Sequence, residues 1–161
     1  MAEQKLRWGV ISTAKIGWEK VIPAIQLSEK NKVVAIGSGN IEKAKQIATD
    51  NGIARVHASY DDVINDPEVD VIYNPLPNNM HAEWSIKALQ AGKHVLCEKP
   101  IALTAKETQQ LIDEVKKHPK LKLMEAFMYK FHPQWLKVRA LLDSGVVGDI
   151  STVNTFFSYY N

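Results

Sequence analysis

The chain has 161 residues, 45% of them hydrophobic and 24% charged, which is ordinary globular composition and enough length to bury a core. Its 20 basic and 18 acidic side chains leave a net charge of +2, too even a balance to expect nucleic acid or an anionic membrane as partner. A lone cysteine excludes an intramolecular disulfide framework, the apolar run after Met1–Arg7 is too short for a signal peptide, and no window approaches the roughly 18 apolar residues of a membrane span, so a cytoplasmic location is expected.

Trp8-Gly9-Val10-Ile11 reads as a buried strand. Gly17 to Leu27 has helical periodicity that Pro23 must kink or restart, because proline lacks an N–H and crowds the preceding turn. Lys32 to Ile36 is a second strand. Asn40 caps a helix with Ile41, Ala44, Ile47 and Ala48 on one face and Gly52 as its stop. Arg55-Val56-His57 is a short third strand, and Ser59 caps a brief helix through Val63 and Ile64. After the Asp66-Pro67 turn, Val69 to Tyr73 is a fourth strand, Met80 to Ala91 a helix closed by Gly92, and His94 to Cys97 a fifth strand. Thr104 and Glu107 spell a capping box for a helix that His118-Pro119 ends near Lys117, and Leu121 to Met124 is the sixth strand.

Six short apolar strands interleaved with helices predict an α/β fold, a parallel sheet covered on both faces. This is the doubly wound dinucleotide-binding (Rossmann) plan, with strand order 3-2-1-4-5-6. The remainder differs. Pro133 to Leu142 reads as a further helix, with Trp135, Val138, Leu141 and Leu142 apolar and Gly145 as its stop. Thr152 to Tyr160 predicts a strand without a partner. An exposed apolar edge pairs with whatever is available, so a homodimer through residues 150–160 is expected. The expected division is a cofactor-binding domain over 1–125, followed by a helix and first strand of a truncated second domain over 126–161.

Ligands of such folds sit outside the carboxyl ends of the strands, so the segment after each strand is the one to read. Ser12-Thr13-Ala14-Lys15-Ile16-Gly17 stands where a glycine-rich phosphate loop belongs and keeps only its third glycine. Ser12 and Ala14 are small enough for close backbone approach to a pyrophosphate at a helix start. Taken alone, the segment fits a plain strand-to-helix turn equally well. Ser38-Gly39-Asn40, followed by Lys43, has no acidic residue at the strand end, where a ribose 2′-hydroxyl would need one. A hydroxyl and an ammonium there suit a 2′-phosphate, and a helix cap with a solvated lysine is the plainer alternative. Leu76-Pro77-Asn78, within a run carrying two prolines, makes a stiff wall for a flat ring. His81 either joins that wall or caps and packs. Glu98-Lys99-Pro100 ends a buried strand, where a charged pair is costly unless it is used, and Lys99 can donate to a substrate oxygen. No Cys/His cluster has metal-ligand spacing.

Together these segments resemble the N-terminal half of the glucose–fructose oxidoreductase / inositol dehydrogenase / rhizopine-catabolism (GFO/IDH/MocA) family. The match runs through Trp8 to Gly17, Pro77-Asn78-Asn79-Met80-His81, Ala91 to Pro100 and Leu123-Met124-Glu125-Ala126 in order. The segment from Ser38 to Lys45 is most similar to the glucose–fructose oxidoreductases within it. The resemblance implies NADP(H) binding, with Ser12, Thr13, Ala14, Lys15 and Ile16 along the pyrophosphate and Ser38, Gly39, Asn40 and Lys43 around the 2′-phosphate. It implies Leu76, Pro77, Asn78 and His81 on the nicotinamide side, Glu98 close to the cofactor, and Lys99 as the catalytic, substrate-facing lysine. The implied reaction is hydride transfer between the nicotinamide and a hydroxyl- or carbonyl-bearing carbon of a sugar or polyol. The family's proton-transfer pair lies in a second half, so this chain is expected to bind cofactor and be catalytically incomplete. A non-catalytic, regulatory binding domain or a designed minimal domain is the alternative.

Overall fold

The computed structural model describes residues 5–158. Residues up to Ala126 form one compact unit, and those from Phe127 form another.

In the first unit, β1 (Leu6–Val10), β2 (Asn31–Gly37), β3 (Arg55–His57), β4 (Val71–Asn74), β5 (His94–Cys97) and β6 (Leu123–Glu125) form one all-parallel sheet, ordered β3-β2-β1-β4-β5-β6. The switch between β1 and β4 opens the crevice where such sheets take their ligands. Helices α1 (Ile22–Gln26), α2 (Ile41–Asn51), α3 (Tyr60–Ile64), α4 (His81–Gln90) and α5 (Ala105–Lys117) form the crossovers. Their starts follow the chemistry of the side chains. Asn40 and Ser59 accept the N–H of Lys43 and Asp62, and Thr104 and Glu107 complete a reciprocal capping box. Gly52 and Gly92 take the left-handed conformation that closes a helix.

Two apolar layers hold the sheet. One gathers Ile11, Val63, Ile64, Ile72, Trp84, Leu89 and Val95. The other gathers Val10, Ile22, Val33, Ile36, Ile47 and Tyr73. Each large aliphatic side chain so buried contributes about 1.5–3 kcal/mol against leaving it exposed. Val33 and Ile36 share a layer although three positions apart, because the pairing of β1 with β2 slips at Trp8/Gly9 and Val34 is the extra residue. The short α3 lies very close to the sheet. A Cβ on Gly37 would stand 2.4 Å from Val63 Cγ2 and 2.7 Å from the Ser59 carbonyl oxygen.

Ahead of α1, Gly17–Val21 forms a π-helical turn, and α1 restarts with Pro23 in its first turn. Proline is tolerated there because first-turn N–H groups have no intrahelical acceptor. In the second unit, α6 (Pro133–Asp143) is the predicted helix, and Gly145 follows it with a positive φ of 71°. The predicted strand over Thr152–Tyr160 is corrected: residues 151–158 form no strand, and Tyr159 and Tyr160 lie outside the described residues. Alternating aromatic and polar side chains suit a strand only where a sheet receives them. The edge-pairing argument for a dimer through 150–160 loses its strand with it. Among the described residues no helix is long and apolar enough to cross a membrane, and no group of three metal-ligating side chains comes together.

Candidate cofactor site

The carboxyl ends of β1, β2, β4 and β5 bring four loops to one side of the sheet. After β1, Ser12 Oγ accepts the Ala14 N–H at 2.9 Å, and the Ala14 carbonyl accepts from Gly17 at 3.0 Å. That folds 12–14 into a tight turn and starts a helix at Lys15 and Ile16, both exposed. Their N–H groups lack intrahelical acceptors and suit an anion. Gly17 lies over Tyr73 and Pro75; a Cβ there would meet Tyr73 Cε1 at 3.5 Å.

After β2, Ser38 is buried and its Oγ accepts the Asn40 N–H at 3.1 Å. Thr13 Oγ1 lies 3.4 Å from the same oxygen, joining the first loop to the second. Gly39 faces open space. A cavity of about 260 Å³ lined by Gly39, Ser59, Tyr60 and Trp84 opens beside it. Lys43 is exposed and has no ion pair among the described residues, whereas the neighbouring Lys45 is held by Glu42 at 2.8 Å. A larger cleft of about 660 Å³ between α4 and α5 is lined by side chains that pair with one another, such as Lys87–Glu83 at 3.0 Å, and includes no residue of these loops except Asn79.

After β4, Pro75 and Leu76 are buried, while Pro77 and Asn78 are exposed. After β5, Glu98 accepts a 2.7 Å bond from the Tyr73 hydroxyl, and its N–H donates to the Asn74 carbonyl at 3.0 Å. Burial first, and then the Glu98 carboxylate, push the Tyr73 hydroxyl far above its ordinary value, so it stays a donor. Lys99 is exposed and has no ion pair among the described residues. Ile101 N–H donates to Glu125 Oε1 at 2.9 Å, tying this loop to β6.

The predicted residues lie on these four loops, and three of them, Ser38, Leu76 and His81, are buried. His81 is fully buried and presents no atom to a ligand. Its Nδ1 lies 2.6 Å from the Pro100 carbonyl and its Nε2 2.7 Å from the Leu76 carbonyl. Four supporting residues escaped the sequence reading: Tyr73, Asn74, Ser85 and Glu125. Asn74 Nδ2 donates to the His81 carbonyl and to Ser85 Oγ, both at 3.2 Å. A polar Asn ending an apolar strand, and a Ser four residues after His81 on a helix, were the available signals. Cys97 packs in the core, where burial pushes its thiol up to about 12.

A doubly wound parallel sheet with an anion-ready helix start after β1 and open loops across its switch point defines a dinucleotide-binding domain of the Rossmann type. The GFO/IDH/MocA family model, an oxidoreductase family with an NAD-binding Rossmann fold, matches residues 6–127, and the chain belongs to this family. It is 42% identical over 156 residues to an uncharacterized oxidoreductase of Rhizobium meliloti, covering 97% of this chain and 46% of the relative. It is 39% identical over 154 residues to a D-xylose 1-dehydrogenase (NADP(+)) of Haloferax volcanii, covering 96% and 46%. Its fold superposes, at a TM-score of 0.82 and 38% identity, on a 3-ketoreductase from Actinomadura kijaniata crystallised with NADP, covering 91% of this chain and 46% of that one. The chain spans about half the length of the curated relatives it matches.

Proposed function

We propose that this chain binds NADP(H) in preference to NAD(H). In this reading it forms the cofactor-holding part of an oxidoreductase acting on a hydroxyl- or carbonyl-bearing carbon of a sugar or polyol. The observation that carries the preference is the carboxyl end of β2. Ser38 stands there with no acidic residue at the strand end, Glu42 in the first turn of α2 is paired with Lys45, Gly39 leaves open space, and Lys43 has no ion pair among the described residues. The residues present fit the cofactor: small side chains after β1, a helix start for the pyrophosphate, and the stiff Pro77-Asn78 wall toward the nicotinamide. NADP(H), when bound, supplies the hydride chemistry, and the protein supplies orientation. Lys99, exposed on a loop anchored on both sides, is the residue placed to donate to a substrate oxygen.

A fluorescence titration of the chain with NADPH and NADH tests the preference. A charge-assisted contact to the phosphate contributes about 1.5–3 kcal/mol, so NADPH should bind at least about tenfold more tightly. Lys43→Ala should remove most of that difference and leave NADH binding unchanged. Equal affinity for both cofactors in the parent chain would overturn the assignment.

A further inference from the structure

We propose that His81 is a positioning residue. Its ring is set between the carbonyls of Leu76 and Pro100, within hydrogen-bond distance of both, and so fixes the backbone beside Lys99.

The ring is entirely buried, and each nitrogen faces a backbone carbonyl oxygen, at 2.7 Å for Leu76 and 2.6 Å for Pro100. A carbonyl oxygen only accepts and an imidazole donates through its N–H, so the tautomer decides which carbonyl receives the ring proton, while in either tautomer the ring spans the gap between the two loops.

The two carbonyls belong to different loops, one after β4 and one after β5. The first is gripped again from the other side: Leu76 N–H donates to Asn74 Oδ1 at 3.2 Å. On the second, the Glu98 N–H is held by Asn74, the Glu98 carboxylate by Tyr73, and the Ile101 N–H by Glu125. Within Glu98–Ile101, the charged side chain left exposed and without an ion pair among the described residues is that of Lys99. His81 supplies the anchor at Pro100, directly after it. That arrangement fixes where the ammonium stands relative to the Pro77-Asn78 wall. The proposal rests on the reading that these two loops take the nicotinamide half of the cofactor.

The test uses the full 161-residue chain. Long-range proton–nitrogen correlation on nitrogen-15-labelled protein should show a His81 ring N–H protected from exchange with solvent. A His81 ring N–H that exchanges as fast as that of the exposed His132 would overturn the bridge. His81→Phe keeps a planar ring, somewhat larger, and removes both nitrogens, and His81→Gln keeps an amide that can bond a carbonyl. Each variant is titrated with NADPH and with adenosine 2′,5′-bisphosphate, which lacks the nicotinamide. Loss of the bridge should weaken NADPH about tenfold in His81→Phe, and less in His81→Gln, while the bisphosphate binds as in the parent. Equal losses for the two ligands, or none for either, would reduce His81 to a packing residue. Failure of the parent to bind the bisphosphate would reject the cofactor reading itself, and the exchange of the ring N–H would still decide the bridge.

Discussion

At the amino ends of the strands, Arg7 reaches Asp70 at 2.7 Å and Glu68 at 2.8 Å, and Lys93 donates to the carbonyls of Asp66 and Val69. Asp66, in the turn ahead of β4, also pairs with Arg55 and His57 along the edge strand β3. At the carboxyl ends, Lys43 and Lys99 stand exposed with no ion pair among the described residues, and the buried polar groups beneath them bond to main chain or to one another. The sheet is the same and the residue types overlap, yet the polar groups are spent differently. One end uses its charges to close the fold, which leaves little capacity for a ligand. The other spends buried hydroxyl, amide and imidazole groups on holding loops still, so that a few cationic heads remain available. Stability and binding should therefore separate by position along the strands.

The largest test of that separation is Lys93→Met. It leaves the Val69 carbonyl without the lysine donor in a buried site and takes one of two donors from the Asp66 carbonyl, which keeps the Val69 N–H, and should cost about 3 kcal/mol in a urea titration, with NADPH affinity unchanged. A parallel loss of affinity at saturating fold would break the comparison. Gly37→Ala comes next. The new Cβ collides with a backbone oxygen, which cannot swing aside, so α3 must move at a cost of about 2 kcal/mol. Because Gly37 adjoins Ser38, this variant should also lower NADPH affinity, as an amino-end substitution should not.

Asp70→Asn should give a smaller loss with a pH signature. The Arg7 hydrogen bond holds the Asp70 carboxyl below the ordinary range against the opposing effect of burial. A lowered carboxyl contributes fully above the unfolded value near pH 3.9, and the contribution fades as pH falls through the lower folded value. Urea midpoints of parent and variant should differ at pH 7 and converge below about pH 4. A gap that persists at pH 2 would assign the loss to packing. The smallest effect belongs to Lys99→Ala, which should shift stability by no more than about 0.5 kcal/mol and leave NADPH binding nearly intact. A marked loss of cofactor affinity would make Lys99 a cofactor ligand.

Much of this was legible in the chain because the signals were local. Apolar runs such as Val33 to Ile36, caps at Asn40, Ser59 and Thr104, and glycines at 52 and 92 each mark an element from within a few residues. The π-helical turn over Gly17–Val21 was not legible, since it is a shift in backbone pairing that changes no side-chain pattern. The Thr152–Tyr160 strand was overread because alternation reports what a strand would bury and says nothing of whether a sheet is there to receive it. For His81 the chain left two readings open, a part in the ring wall or a packing role, and its burial favours the second. Its position after β4 is local information, whereas its burial depends on Pro100, 19 residues away. Asn74 and Ser85 escaped for the same reason: their partners meet only after the crossover through α4 is made.

Cys97 has a practical consequence for measuring any of this. The chain's one thiol is fully buried on β5 and held in its unreactive protonated form by burial. Alkylating probes should pass over it in the native protein. A fluorophore or spin label directed to a single engineered thiol, at Asn78→Cys for instance, would then report on the loop after β4 without first removing the natural cysteine. The folded chain supplies its own silent background, and the appearance of Cys97 labelling over time becomes a clock for how often the sheet opens.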